Sequence, residues 1–256
     1  MGRLEFMDAA QKIRAAVSEV DQLRQVGALA PGLDSSIAAV KRIQSIRFSG
    51  TYFDLLAGGK YAAAARFFLK ELYSGKDYAE RDAQFSRVAG AMQRFFPQDV
   101  AATAVALAQL HSLTESLDYA MGQAWLEAEG QHRFESAHYL TAWRSVGRRP
   151  EREGQLSRVM EIGEEMSRLT RTPGLRMMLK MMRVPAAAAG LSSLQRFLEA
   201  GFDTFAGMAR QRNGVEDFLK TIWTRESELI ASLFDSDFMA CETQLQATLD
   251  AGRISN

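Results

Sequence analysis

Residues 100–121 read VAATAVALAQLHSLTESLDYAM, and their spacing decides the fold class. Val100, Thr103, Leu107, Leu110, Thr114, Leu117 and Met121 recur at alternating steps of three and four, which draws one stripe along a long helix. Val215, Phe218, Ile222, Leu229 and Leu233 trace a similar stripe near the C-terminal end. No sustained alternation of β-branched residues marks a strand. The pattern predicts an all-α helical bundle of roughly nine to eleven helices with no sheet.

Start and stop signals divide the chain. Pro31-Gly32 ends a first helix, and Asp34 or Ser35 can cap the next. Asp77 with Glu80 has the spacing of a capping box. Pro97 and Pro150 suit first-turn positions, where acids just beyond them favour the positive helix end. Val184-Pro185 must kink or end a helix, because proline removes a donor and clashes with the preceding turn. No linker separates domains. A single domain over 1–256 is expected, with a possible seam near 130–150 and the helices from Pro173 to Met208 near the centre.

Composition excludes several classes. At 256 residues, with 47% hydrophobic and 24% charged side chains, the chain can bury a substantial core. Lys and Arg number 31 and so do Asp and Glu, so the cationic surplus that phosphate backbones require is missing and no nucleic-acid partner is expected. Cys241 is the single cysteine, which leaves no internal disulfide and fits a reducing compartment. No apolar run reaches membrane-spanning length, and the first residues do not build a signal peptide. The expected location is the cytoplasm.

A second landmark is Phe67-Phe68-Leu69-Lys70-Glu71. On a helix, Phe67, Phe68 and Leu72 cover one face, and Glu71 sits beside it. Arg81 and Asp82 on the following helix can pair with Glu71 and Lys70. The motif builds either a helix corner filled by aromatics or a pocket wall in which Glu71 and Arg81 face a ligand. It resembles the signature of a bacterial family named for an FFLEE-type motif, and Lys70 departs from the form with two adjacent acids. The resemblance extends less distinctly over Arg183 to Met208 and to Arg225-Glu226. It implies a family, not an activity.

Leu175-Arg176-Met177-Met178-Leu179-Lys180-Met181-Met182-Arg183 puts three cations on one narrow stripe and apolar side chains elsewhere. Such a helix is expected to be buried over most of its circumference, or to lie in an interface with its cations at the rim. Methionine suits adaptable binding surfaces. The leading expectation is a non-catalytic binding protein for an apolar or amphipathic small molecule, or for a partner helix. Met178, Met181, Met182, Phe197 and Phe202 would line its groove, Arg176, Lys180 and Arg183 would stand at the mouth, and Glu71 and Arg81 would set the walls. Charge is also uneven: ten bases face five acids over Thr141 to Arg183, and two bases face eight acids over Val215 to Asp250. The two segments either pair internally or stay solvated.

The histidines offer a competing class. His111, Glu115 and Asp118 share a helical face, and Glu135 with His138 has the E-x-x-H spacing of helical metal sites. A second such unit is missing. No cofactor is expected on the leading reading. The alternative is an iron- or haem-dependent enzyme using His111, Glu115, Glu135 and His138. A third class is a structural or scaffolding subunit, self-assembled or bound to a partner protein. No Rossmann, P-loop or nucleophile-elbow pattern occurs. Cys241, inside a helical run, reads as a packing residue.

Overall fold

The computed structural model describes residues 8–71, 79–95, 98–128, 130 and 134–254, with the side chains at 79, 81 and 90–95 outside that description. In chain order the helices are α1 (Ala9–Leu29), α2 (Leu33–Thr51), α3 (Phe53–Leu56), α4 (Ala62–Glu71) and α5 (Ala79–Phe95). Next come α6 (Gln98–Glu127), α7 (Glu135–Val146), α8 (Arg149–Leu169) and α9 (Leu175–Met181). The rest are α10 (Arg183–Ala188), α11 (Ser192–Ala209), α12 (Gly214–Asp235) and α13 (Phe238–Ile254). No strand occurs among the described residues, so the fold is all-α. The thirteen segments exceed the expected range because α3 and α10 are short turns of four and six residues.

Several junctions follow the punctuation. Pro150 enters the first turn of α8 behind Glu151, as expected. Gly32 adopts φ +80 and starts α2, while Ser35 donates to its carbonyl instead of capping a backbone N–H. The helix carrying Pro185 breaks at Met182, so the proline ring falls in the first turn of α10 where its missing N–H costs nothing. Asp77, Pro97 and His132 lie outside the described residues.

The stripe read from Val100 becomes α6, which packs against α1, α2, α5, α7 and α8. Leu117 and Met121 are fully buried, and Ala101, Ala104, Ala108 and Ala124 are buried around the rest of the helix. Small side chains let neighbours approach from several sides: a methyl group on Gly122 would meet the Ile37 side chain at 2.4 Å. This helix is the axis of the bundle. The Pro173 to Met208 segment is expected there, but its last helix, α11, alone joins the two large apolar clusters of the bundle, while α9 buries Leu175 and Leu179 in a smaller one.

One close helix crossing joins α2 to α13. A methyl group on Gly50 would fall 1.9 Å from the Thr248 carbonyl oxygen, and one on Gly252 would fall 2.0 Å from that of Ile46. Only glycine permits that backbone contact.

Two large apolar clusters result. One gathers Phe48, Tyr52, Phe68, Met121, Trp143, Phe218 and Leu249, with contributions from helices on both sides of residues 130–150. The other joins Ile13, Phe85, Ala104, Ala108 and Leu194. Phe67 and Phe68 tie α4 to its neighbours. Phe68 is buried against Phe205 and Phe218, with ring centroids 6.5 and 5.4 Å away. Phe67 stacks on Phe197 at 6.1 Å and covers Gly201, so the close approach at this glycine is to a ring. Burying one such phenylalanine contributes about 1.5–3 kcal/mol.

The methionine segment departs from expectation. Leu175, Leu179 and Ala186 are buried, and Leu175 and Leu179 pack with Leu169 and Phe202. Met177, Met181 and Val184 are 66%, 64% and 79% exposed. A helix of seven residues between two turns presents one face to the body, and its remaining faces stay outside whatever their chemistry.

Candidate functional site

A cavity of about 170 Å³ lies at the seam between the two large apolar clusters. Phe48, Phe68, Phe85, Phe197, Leu156 and Ile222 supply its apolar wall. Facing them are charged and polar side chains from six helices: Lys41, Gln44 and Arg47 on α2, Glu71 on α4, Asp82 on α5, His111, Glu115 and Asp118 on α6, Arg152 on α8 and Glu226 on α12. Tyr139 and Trp143 of α7 complete the lining.

Helical geometry builds the polar side simply. Lys41, Gln44 and Arg47 sit three apart on α2, one step round from the buried Val40 and Ile43. His111, Glu115 and Asp118 follow on α6 with the spacing of one face, as expected from sequence. Because both rows border the core stripes of their helices, closing the bundle takes them inside.

Burial of charge at this scale requires pairing, since an isolated ion in a low-dielectric interior costs several kcal/mol. Lys41 Nζ donates to both Glu115 oxygens at 2.7 and 2.8 Å. Arg47 donates to Glu226 Oε1 at 2.6 Å, and the Tyr52 hydroxyl donates to the same oxygen at 2.9 Å. Asp82 accepts from Arg24 at 2.8 Å and from His111 Nε2 at 2.9 Å. Gln44 donates to Asp118 at 3.0 Å. Arg152 stacks over the Trp143 ring, 4.2 Å from its centroid.

The two buried aspartates are shifted in opposite directions. Burial works against ionisation of Asp82, yet the hydrogen bonds and positive charge of His111 and Arg24 outweigh it and hold the carboxyl below its ordinary value. For Asp118, burial dominates and pushes the carboxyl up. Lys41 opposes that push, Glu115 reinforces it, and Arg152 and Gln44 oppose it less. Burial also pushes the Tyr139 phenol up, so the hydroxyl keeps its proton. The Trp143 indole N–H is buried with no hydrogen-bond partner among the described residues.

The expected site residues are distributed unevenly about this cavity. Phe197 and Glu71 line it. Phe202 is buried among Leu169, Leu175 and Leu179, and Met178 packs half-buried against that group. Met182 is half-buried and Met181 exposed, neither on the cavity. Arg176 pairs with Asp203 at 2.9 Å, Arg183 pairs with Glu199 on α11, and Lys180 is exposed. The side chain of Arg81 lies outside the described residues. The basic segment meets the acidic one through Arg149, which holds both Asp235 oxygens at 2.8 and 2.9 Å.

The alternative metal set is divided. His111 and Glu115 face the cavity, while Glu135 sits near the surface between Arg42 and Arg253. His138 is stacked on Trp125 at 3.8 Å and donates from Nε2 to the Trp125 carbonyl at 2.8 Å. No grouping of three or more metal-capable His, Cys, Asp or Glu side chains occurs among the described residues. Cys241 is buried and accepts a long contact from the Ser232 hydroxyl at 3.7 Å.

Sequence reasoning missed Lys41, Gln44, Arg47, Arg152, Glu226 and Trp143. Polar residues adjoining an apolar stripe were the available signal on α2, but the same pattern marks ordinary helix borders. No helix of the described residues is long and apolar enough to cross a membrane. No curated protein and no solved structure matches the chain significantly. A family model described as a domain of unknown function (DUF8198) matches residues 23–239, and the chain belongs to that family.

Proposed function

We propose that the chain is a non-catalytic binding protein for a small amphipathic molecule, held in the cavity between α2, α6, α7, α8 and α12. One observation carries the reading: a void of about 170 Å³ stands between an aromatic wall and a buried polar wall. A well-packed core closes voids of that size, and a cavity of about 150 Å³ accepts one benzene ring. The ligand is therefore of single-ring size, with an apolar edge toward Phe48, Phe68 and Phe197 and a polar edge toward Asp118, Tyr139 and Arg152.

Binding is favoured over catalysis because the ionic groups are committed to one another. Lys41 holds both oxygens of Glu115, and Arg47 and Tyr52 hold Glu226, so neither carboxylate is poised as a base. The groove first expected along the methionine segment has less support, since Met181 is exposed to solvent and, among its described residues, only Phe197 and Glu71 adjoin the void. The metal or haem alternative has His111 and Glu115 in its favour and lacks Glu135 and His138 at the same place. We further read the family as the bacterial FFLEE-motif one, on the strength of Phe67 to Glu71, and place the protein in the cytoplasm because its one cysteine is a buried free thiol.

A thermal-shift screen of ring-sized fragments tests the proposal. Binders should raise the melting temperature of the native chain, and Ala108→Leu, which fills the lining, should abolish the shift while leaving the helical circular dichroism intact. A screen with no binder, or binding indifferent to Ala108→Leu, would refute the cavity as the site.

A further inference from the structure

The polar wall of the cavity selects among ligand chemistries, and this inference rests on the cavity being the binding site. Consider first the charges. The anionic lining consists of Glu71, Asp82, Glu115, Asp118 and Glu226, and the cationic lining of Lys41, Arg47 and Arg152, with Arg24 behind Asp82. Ionic side chains of the wall are matched to one another: Lys41 with Glu115, Arg47 with Glu226, and Asp82 with Arg24 and His111. A charged ligand would enter this paired interior without a partner of its own, and an uncompensated buried charge costs several kcal/mol.

The second observation concerns hydrogen bonding. Trp143 is 6% exposed, lines the void, and has its indole N–H without a partner among the described residues. An indole N–H can only donate. Three of the lining carboxylates are engaged elsewhere: Glu115 by Lys41, Glu226 by Arg47 and Tyr52, Asp82 by Arg24 and His111. Nearby donors point the same way. The Arg152 guanidinium lies on the Trp143 ring, and Tyr139, one turn before Trp143, keeps a protonated hydroxyl. The missing chemistry is an acceptor.

We propose that the cavity takes an uncharged, ring-sized molecule bearing a carbonyl-type acceptor, with the Trp143 indole N–H as the donor that orients it. The ring fills the space between Phe48, Phe68 and Phe197, and the acceptor lies toward α7 and α8. The indole then acquires its hydrogen bond without disturbing any of the ion pairs.

Four single-ring probes separate the alternatives on the full chain: acetophenone, benzene, benzoate and benzylamine. Affinities from two-dimensional proton–nitrogen spectra should place acetophenone first, up to roughly tenfold tighter than benzene, the gain of one buried hydrogen bond. Benzoate and benzylamine should bind at least roughly tenfold more weakly than acetophenone. The Trp143 indole resonance, assigned by its loss in Trp143→Phe, should move with acetophenone and stay near its free position with benzene. The same variant should lose the acetophenone advantage and retain benzene binding, a comparison that also reports whether it folds. Preference for benzoate or benzylamine would overturn the neutral class. Equal binding of benzene and acetophenone, or an unmoved indole signal, would overturn the acceptor assignment while leaving the cavity as a site. Failure of all four probes would remove the binding site itself.

Discussion

The polar seam and the methionine segment invert each other's expected places. Lys41, Arg47, Asp82, Arg152 and Glu226 carry charge into the middle of the bundle, while Met177, Met181 and Val184 stand in solvent. Residue chemistry alone would have placed them the other way round. Helix length and neighbours decide instead. α2 and α6 run 19 and 30 residues through the body, so side chains bordering their core stripes are enclosed and must pair. α9 has seven residues and docks by Leu175 and Leu179, with Met178 half-buried beside them. Placement follows the helix, and the side chains then settle what they can.

The largest effect should come from breaking one buried pair. Glu226→Ala removes the buried carboxylate that pairs with Arg47, itself 7% exposed, and should cost about 3–5 kcal/mol in urea unfolding. Replacing both partners, as Arg47→Met with Glu226→Leu, should recover most of that loss, because the desolvation cost leaves with the charges. A double variant as unstable as the single one would mean that the pair stabilises the fold in its own right.

Next in size is the buried face of α9. Leu179→Ala should cost about 2–5 kcal/mol, since it empties a site packed by Leu169, Leu175 and Phe202. Met181→Ala, two residues on, should stay within about 0.5 kcal/mol. Similar losses at both positions would mean that the segment is buried in solution, by itself or by a partner.

Smaller and opposite effects should appear with pH. Asp82 has a lowered carboxyl, so its contribution is present above the unfolded value of 3.8 and is lost as pH falls below it. Asp118 is raised, so its folded form binds a proton more tightly and stability declines as pH climbs from 3.8 through the folded value. Asp82→Asn should therefore weaken the protein at neutral pH, and Asp118→Asn should strengthen it. Both differences should shrink below 3.8. Melts of the two variants at neutral and acid pH check the signs.

The exposed pairs come last. Arg183 holds Glu199 and brings its carboxyl down to about 2, so this attraction exists above the ordinary 4.5 and fades between there and about 2. Solvent screens it, and Glu199→Gln should leave the urea midpoint unchanged within error. A clear drop would place this surface among the structurally important ones.

Much of the fold was legible in periodicity and punctuation. The α6 stripe, the first turn of α8 at Pro150 and the break before Pro185 all follow from rules acting within a few residues. Phe67 and Phe68 were legible as packing groups, but their partners Phe197, Phe205 and Phe218 were not, because those contacts span more than a hundred residues. The site was half visible. His111, Glu115 and Asp118 declare a shared face, whereas Lys41, Arg152 and Glu226 join them only through the crossing of α2, α8 and α12 over α6 and α7. The Gly50–Gly252 contact that seats α13 on α2 was likewise hidden, since either glycine alone looks like an ordinary helix interruption.

Xenon pressurised into crystals of the full chain tests most directly whether the seam encloses usable space. Ordered xenon density is expected against Phe48, Phe68, Phe197 and Ile222, on the apolar wall of the 170 Å³ void. Side chains filling that volume, with xenon elsewhere or nowhere, would contradict the cavity and the binding function drawn from it.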